Sequence, residues 1–241
     1  MERWTPSGAV DDDELVRLYH HAPGRVRANF VSTVDGAATG DDGRSGTINN
    51  EADLRVFETL RALADVVLVG AGTARTEGYA EITVPERLAS TRAELGLPAG
   101  LELAVVTRSG ILSERLLGAS APPLVITHEG CHHLEPLRER LGSDRVLVHG
   151  TTEVDLGAAL VGLAARGLVR VLTEGGPHLF ASLLGAGLVD ELCLTTTPQL
   201  VGGHPPRIVA AHEWFAPPRG AHLEHVLVEG STVLARWSLS C

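Results

Sequence analysis

The residues most capable of chemistry in this chain run Val171-Leu172-Thr173-Glu174-Gly175-Gly176-Pro177-His178-Leu179-Phe180. Val169 to Thr173 is a β-branched and leucine run of the kind a buried strand shows. Gly175 and Gly176 permit a tight turn and let a ligand approach the backbone. Pro177 suits the first position of a helix, where its missing N–H costs nothing. Leu179, Phe180, Leu183 and Leu184 then share one face, and Gly187 is a natural stop. A helix opening in this way directs free N–H groups and partial positive charge at whatever lies beyond the strand end, which is a place for a phosphate. The plain alternative is an ordinary strand-to-helix turn. A second opening of this type follows Asp65-Val66-Val67-Leu68-Val69-Gly70, with Ala71-Gly72-Thr73-Ala74-Arg75-Thr76-Glu77. It is not a dinucleotide fingerprint, because Arg75 stands where the third glycine belongs. A third polar strand end is Thr107-Arg108-Ser109.

Composition removes several chemistries. The chain has no lysine, so all 20 of its Lys+Arg positions are arginine. That excludes a P-loop lysine, a Schiff base and a lysine general base, and leaves backbone N–H groups, hydroxyls and arginine to hold any phosphate. A net charge of −10 lacks the basic face of a nucleic-acid binder. No Gly-x-Ser-x-Gly occurs, which speaks against a serine hydrolase. Cys131, Cys193 and Cys241 form no Cys-x-x-Cys pair, and adjacent Cys131-His132-His133 would point in different directions on a helix, so no metal is expected. No apolar run approaches a membrane span, and Met1 to Pro6 lack a signal-peptide pattern, from which a cytoplasmic location follows.

The elements that must position these residues alternate strand and helix. Residues 1–24 read as an N-terminal arm, with Asp11-Asp12-Asp13 opening a short helix to about Tyr19 and Pro23-Gly24 ending it. Val26 to Val34 is a strand, and Ala37 to Asn50 a long polar loop of the functional or mobile kind. Asn49 or Asn50 caps a helix to about Leu63, with Val56, Leu60 and Leu63 at core spacing. Residues 78–100 are irregular or weakly helical around Glu86 to Leu95. Further strands are Leu101 to Thr107, Leu124 to Thr127, Arg145 to His149 and Leu188 to Thr197, and further helices Cys131 to Leu141 and Val154 to Arg166. His225 to Glu229 and Thr232 to Leu239 form a hairpin over Gly230-Ser231. The whole is α/β, a mostly parallel central sheet with helices on both faces and an antiparallel C-terminal hairpin. Ligands in such sheets bind beyond the carboxyl ends of the strands, so the three polar strand ends should meet in one cleft.

In chain order, Thr33-Val34-Asp35-Gly36, Ser45-Gly46-Thr47-Ile48, Leu60 to Asp65, Gly72-Thr73, Thr173 to Pro177 and Leu188-Val189-Asp190-Glu191-Leu192 resemble the reductase domain of the bifunctional riboflavin-biosynthesis deaminase/reductases. The resemblance covers about residues 25–241. It implies a dihydrofolate-reductase-like fold, NADPH as cofactor and a homodimer. The apolar strand Leu188 to Leu194 is a candidate pairing surface for that dimer. The implied reaction reduces the ribosylamino group of 5-amino-6-(5-phosphoribosylamino)uracil to ribitylamino. Carried over by position, Val31, Thr47, Gly72, Thr73, Glu77 and the run Gly175, Gly176, Pro177, His178, Leu179 and Phe180 to Ser182 would contact the cofactor. Ser45, Arg61 and Glu174 would face the substrate. Thr107, Arg108 and Ser109 could offer a guanidinium fork and hydroxyls to a 2′-phosphate, or be a surface loop. The deaminase half has no counterpart, since no His-x-Glu with a downstream Pro-Cys-x-x-Cys occurs.

The chain departs from the family at two places. Val84 stands where a phosphate-binding arginine is usual, and Asn29 where the first strand often carries lysine. Both weaken recognition of a phosphorylated substrate, and Arg61, Arg75 or Arg87 are the arginines that might compensate. Asp53 resembles the carboxylate that dihydrofolate reductases use against the pterin ring. It is either a proton donor pairing with an amino-pyrimidine edge or a first-turn acid favoured by the helix dipole. With Glu174 it is a candidate catalytic residue. Dihydrofolate reduction and non-catalytic NADPH binding are the alternative functions.

Overall fold

A computed structural model describes residues 8–240; the Met1–Pro6 stretch and Cys241 lie outside the described residues. Nine strands form one sheet: β1 (Arg25–Thr33), β2 (Val66–Gly70), β3 (Glu102–Val106), β4 (Leu124–Thr127), β5 (Val146–Val148), β6 (Arg170–Thr173), β7 (Glu191–Thr197), β8 (Gly220–Glu229) and β9 (Thr232–Ser240). Their order across the sheet is β5-β4-β3-β2-β6-β1-β7-β9-β8. Strands β1 to β7 run parallel, and the β8–β9 hairpin joins antiparallel through β9. Strand β7 is hydrogen-bonded to β1 on one side and β9 on the other. It therefore has no free edge, and the expectation that Leu188 to Leu194 pairs strands across a dimer is corrected.

The helices are α1 (Asp12–Leu18), α2 (Glu51–Ala62), α3 (Ala71–Thr76), α4 (Ala89–Glu94), α5 (Glu114–Leu117), α6 (Leu134–Leu141), α7 (Leu156–Ala164) and α8 (Pro177–Gly185). Alternate residues of each central strand feed opposite layers, as a period of two requires. Val67 and Val69 of β2 pack with Leu15, Val56, Leu60, Ala74 and Leu116 under α1, α2, α3 and α5. Val66 and Leu68 pack with Ala159, Leu163, Phe180 and Leu183 under α7 and α8. A sheet covered on both faces explains why its strands read as continuous apolar runs.

The N-terminal segment is packed into this body. Leu15 and Tyr19 are buried in the first layer. Arg27 of β1, fully buried, donates to the carbonyls of Tyr19 and His20 and to Glu191.

Local signals account for most element ends. Asp11, Asn50, Ser113 and Asp155 accept from backbone N–H groups as N-caps. The helix expected from Cys131 begins at Leu134 instead, because Cys131 to His133 form the turn before it: the Cys131 N–H donates to His128 and the Leu134 N–H to Cys131. Strand β7 starts later than Leu188, because the Leu188 N–H closes the end of α8 on the Leu183 carbonyl. The four-residue α5 was not expected; it is too short to show a helical period.

Candidate active site

The carboxyl ends of β2, β3 and β6 open into one cleft of about 2300 Å³. Gly70 to Thr73, Thr107 to Ser109, and Glu174 with Gly176 to Leu179 all line it. The first and third of these turns are knitted together: the Gly70 N–H donates to the Gly175 carbonyl at 2.8 Å. Both glycines are required by space. A Cβ at Gly176 would stand 2.3 Å from Thr73 Oγ1, and one at Gly175 (φ +89°) 2.9 Å from the Phe30 ring. No side chain caps α8, whose first residue is Pro177. Its first-turn N–H groups are thus left for a ligand. A backbone held this close, with a helix N-terminus facing the cleft and no cation in the turn, fits the pyrophosphate of a dinucleotide.

Three residues expected at the cofactor do not line the cleft. The Phe180 ring is buried against Phe30, with centroids 4.6 Å apart. Gly175 is consumed by the turn, its N–H donating to Thr173 Oγ1 and its carbonyl accepting from Gly70. The Thr47 hydroxyl donates to Asp42 at 2.5 Å inside its own loop. The others, Val31, Gly72, Thr73, Glu77, Thr107, Arg108, Ser109, Gly176, Pro177, His178 and Leu179, do line it. Two of these carry extra duties: Thr107 Oγ1 accepts the Gly110 N–H, and Glu77 accepts the Ser45 N–H at 2.9 Å.

Ser45, Asp53, Arg61 and Glu174, expected at the substrate, also share the cleft wall. Arg61 grips Glu174 with two parallel bonds of 2.7 Å, and the Tyr79 hydroxyl donates to the same carboxylate at 2.5 Å. Burial alone would lower Arg61, yet the charge and hydrogen bonds of Glu174 hold the guanidinium firmly protonated. Burial, and then the Glu174 charge, push the Tyr79 phenol well above its ordinary range. Glu174 is therefore an acceptor, oriented by two donors.

Asp53 differs. It sits in the first turn of α2, only 5% exposed. Burial pushes its carboxyl up, opposed only by the Thr195 hydroxyl. A carboxyl so buried holds its proton more tightly than an exposed one and can pair with an amino group entering the cleft. Asn29 is also on the cleft wall, whereas Val84 is not.

Tyr79, Thr195, His128 and Arg115 escaped the sequence reading. Tyr79 lies in a stretch without period, Thr195 is one threonine of a β-strand, and Arg115 rides on the unexpected α5. His128 ties the strand ends together, its ring nitrogens each 3.1 Å from the carbonyls of Arg108 and Thr151. Among the described residues no group of His, Cys, Asp and Glu side chains gathers as a metal site, and Cys131 and Cys193 are buried free thiols.

The family model described as the RibD C-terminal domain matches residues 25–216. The chain belongs to that family. It is 30% identical over 217 residues to the 2,5-diamino-6-ribosylamino-4(3H)-pyrimidinone 5′-phosphate reductase of Archaeoglobus fulgidus, covering 88% of this chain and 98% of that one. A pyrimidine reductase-like protein from Corynebacterium diphtheriae superposes with a TM-score of 0.78 at 26% identity, covering 91% of this chain and 92% of that one. Dihydrofolate reductase from Enterococcus faecalis, solved with NADP(H), superposes with a TM-score of 0.51 at 12% identity over 92% of this chain and 99% of that one. The last likeness shows the dihydrofolate-reductase-like fold that the RibD C-terminal family shares.

Proposed function

We propose that the protein is an NADPH-dependent reductase of a ribosylaminopyrimidine 5′-phosphate in riboflavin biosynthesis. The observation that carries this reading is the joining, in one cleft, of the Gly176 cradle with the buried carboxyl of Asp53. When bound, NADPH supplies the hydride that converts the ribosylamino group to ribitylamino. Gly176 and the first N–H groups of α8 hold its pyrophosphate, Thr73 flanks it, and Arg108 and Ser109 take its 2′-phosphate. Asp53 takes the pyrimidine edge and is a proton source beside the ring. Glu174, fixed by Arg61 and Tyr79, orients the hydroxyls of the open sugar, and Ser45 closes that side.

The 2,5-diamino pyrimidinone is preferred over the uracil substrate, because the named relatives are reductases of that compound. Of the alternatives raised by the sequence, neither dihydrofolate reduction nor cofactor binding without turnover is favoured by the named relatives. Oxidation of NADPH at 340 nm, followed with each pyrimidine and with dihydrofolate, tests the assignment. Turnover should be fastest with the diamino compound; no oxidation with either pyrimidine would remove the reading. No helix of the described residues is long and apolar enough to cross a membrane. The proposal places the enzyme in the cytoplasm as a homodimer, for which the open edge strand β8 is a surface and sedimentation the measurement.

A further inference from the structure

A 5′-phosphate entering this cleft needs a cation, and four arginines line it: Arg61, Arg75, Arg108 and Arg115. Arg61 is spent on Glu174. Arg87 is paired with Asp12 and Glu58. Arg108 lies just past the end of β3, where the reading above assigns it to the cofactor's 2′-phosphate. Arg115 of α5 lines the cleft, and no ion pair or hydrogen bond engages its guanidinium among the described residues.

The surroundings of Arg115 belong to the substrate end. One guanidinium nitrogen lies 3.8 Å from where a Cβ would stand on Gly78. The residues on either side of Gly78 both reach that end: Glu77 accepts the Ser45 N–H, and Tyr79 donates to Glu174. The carrier is fixed rather than free. Ser113 caps α5, and Leu116 is 1% exposed in the same apolar cluster that Tyr79 and Ile82 join. Just beyond the helix, Ser120 donates its N–H and its hydroxyl to Glu81, at 3.0 and 2.5 Å. An exposed cation on so anchored an element keeps its position at little conformational cost.

We propose that Arg115 receives the 5′-phosphate of the substrate. The proposal rests on the reductase reading above and extends it from the pyrimidine ring to the far end of the sugar. Arg75, on the last turn of α3, and Arg108 also line the cleft without an acid partner, but only Arg115 comes within 4 Å of the Cβ position at Gly78, between Glu77 and Tyr79.

The test compares kcat/KM for the diamino substrate with and without its 5′-phosphate, at saturating NADPH. Arg115→Gln should shrink the preference for the phosphorylated compound by about tenfold or more, the scale of a lost charge-assisted fork. Arg115→Lys should keep part of it, because the charge survives and the fork does not. An equal fall on both compounds, a change confined to KM for NADPH, or a loss seen only in Arg75→Gln would overturn the assignment. Calorimetric titration with ribose 5-phosphate reads the anion site without turnover. Binding about tenfold weaker in Arg115→Gln supports the proposal, and equal binding, or none to the wild type, defeats it. Should the wild type reduce neither pyrimidine, the proposed function fails and the titration alone decides Arg115.

Discussion

Asp53 is the residue whose environment says most about chemistry. Burial raises its carboxyl, so the folded protein holds that proton more tightly than the unfolded chain does. The sign follows: ionised Asp53 costs the fold stability as pH rises through its raised pKa, and the cost vanishes below the ordinary carboxylate range. Asp53→Asn should therefore raise the melting temperature at neutral pH, with the gain fading as pH falls towards 4, while kcat drops by about a hundredfold or more. Calorimetry across that pH range and steady-state kinetics check the two halves. A variant that gains stability and keeps its rate would leave Asp53 a buried acid with no part in the reaction. The sequence placed Asp53 in the first turn of a helix, and there it competed evenly with a dipole role. The folded chain buries Asp53 and sets the Thr195 hydroxyl, 142 positions further along, against its carboxyl.

At the scale of elements, the decisive feature is the contact between two strand-to-helix turns. Gly176 has Thr73 Oγ1 in the space its own Cβ would occupy. Gly176→Ala must displace the Thr73 hydroxyl from the mouth of the cleft, at a cost of about 1–3 kcal/mol. The NADPH dissociation constant should rise by roughly tenfold or more. Fluorescence titration measures this, with circular dichroism to confirm that the fold persists; unchanged affinity would mean that the turn is not the pyrophosphate cradle. Each turn was visible in the sequence, from the strand, the glycines and Pro177. Their contact was not, because it depends on β6 lying beside β2, with Leu172 opposite Val67.

For the whole molecule, the N-terminal segment is tied to the sheet through Arg27. Arg27 is wholly buried, and two of its acceptors are the carbonyls of Tyr19 and His20. Removing residues 1–24 would strip those acceptors and the burial of Leu15 and Tyr19. Leaving a buried charge short of partners costs about 3–5 kcal/mol, within a total stability of about 5–15 kcal/mol. The truncated chain should lose its cooperative thermal transition in scanning calorimetry. A sharp transition near that of the full chain would show residues 25–241 to be sufficient. The local reading of residues 1–24 found the helix, its acidic opening and the Pro23-Gly24 end. A buried arginine on β1 gave no hint of where its hydrogen bonds went.

The sequence by itself determined the class of fold, the parallel strands, the hairpin, the two glycine turns that open helices at strand ends, and the absence of any lysine chemistry. These are properties of short windows: apolar period, caps, glycine and proline geometry. Only the tertiary structure decided that Arg61 spends its charge on Glu174, that Tyr79 completes that pair, that Phe180 and Thr47 turn away from the cleft, and that Arg115 stands at its edge. Side-chain partners across a sheet are chosen by strand order and register, and those are set when distant segments bury their apolar faces together.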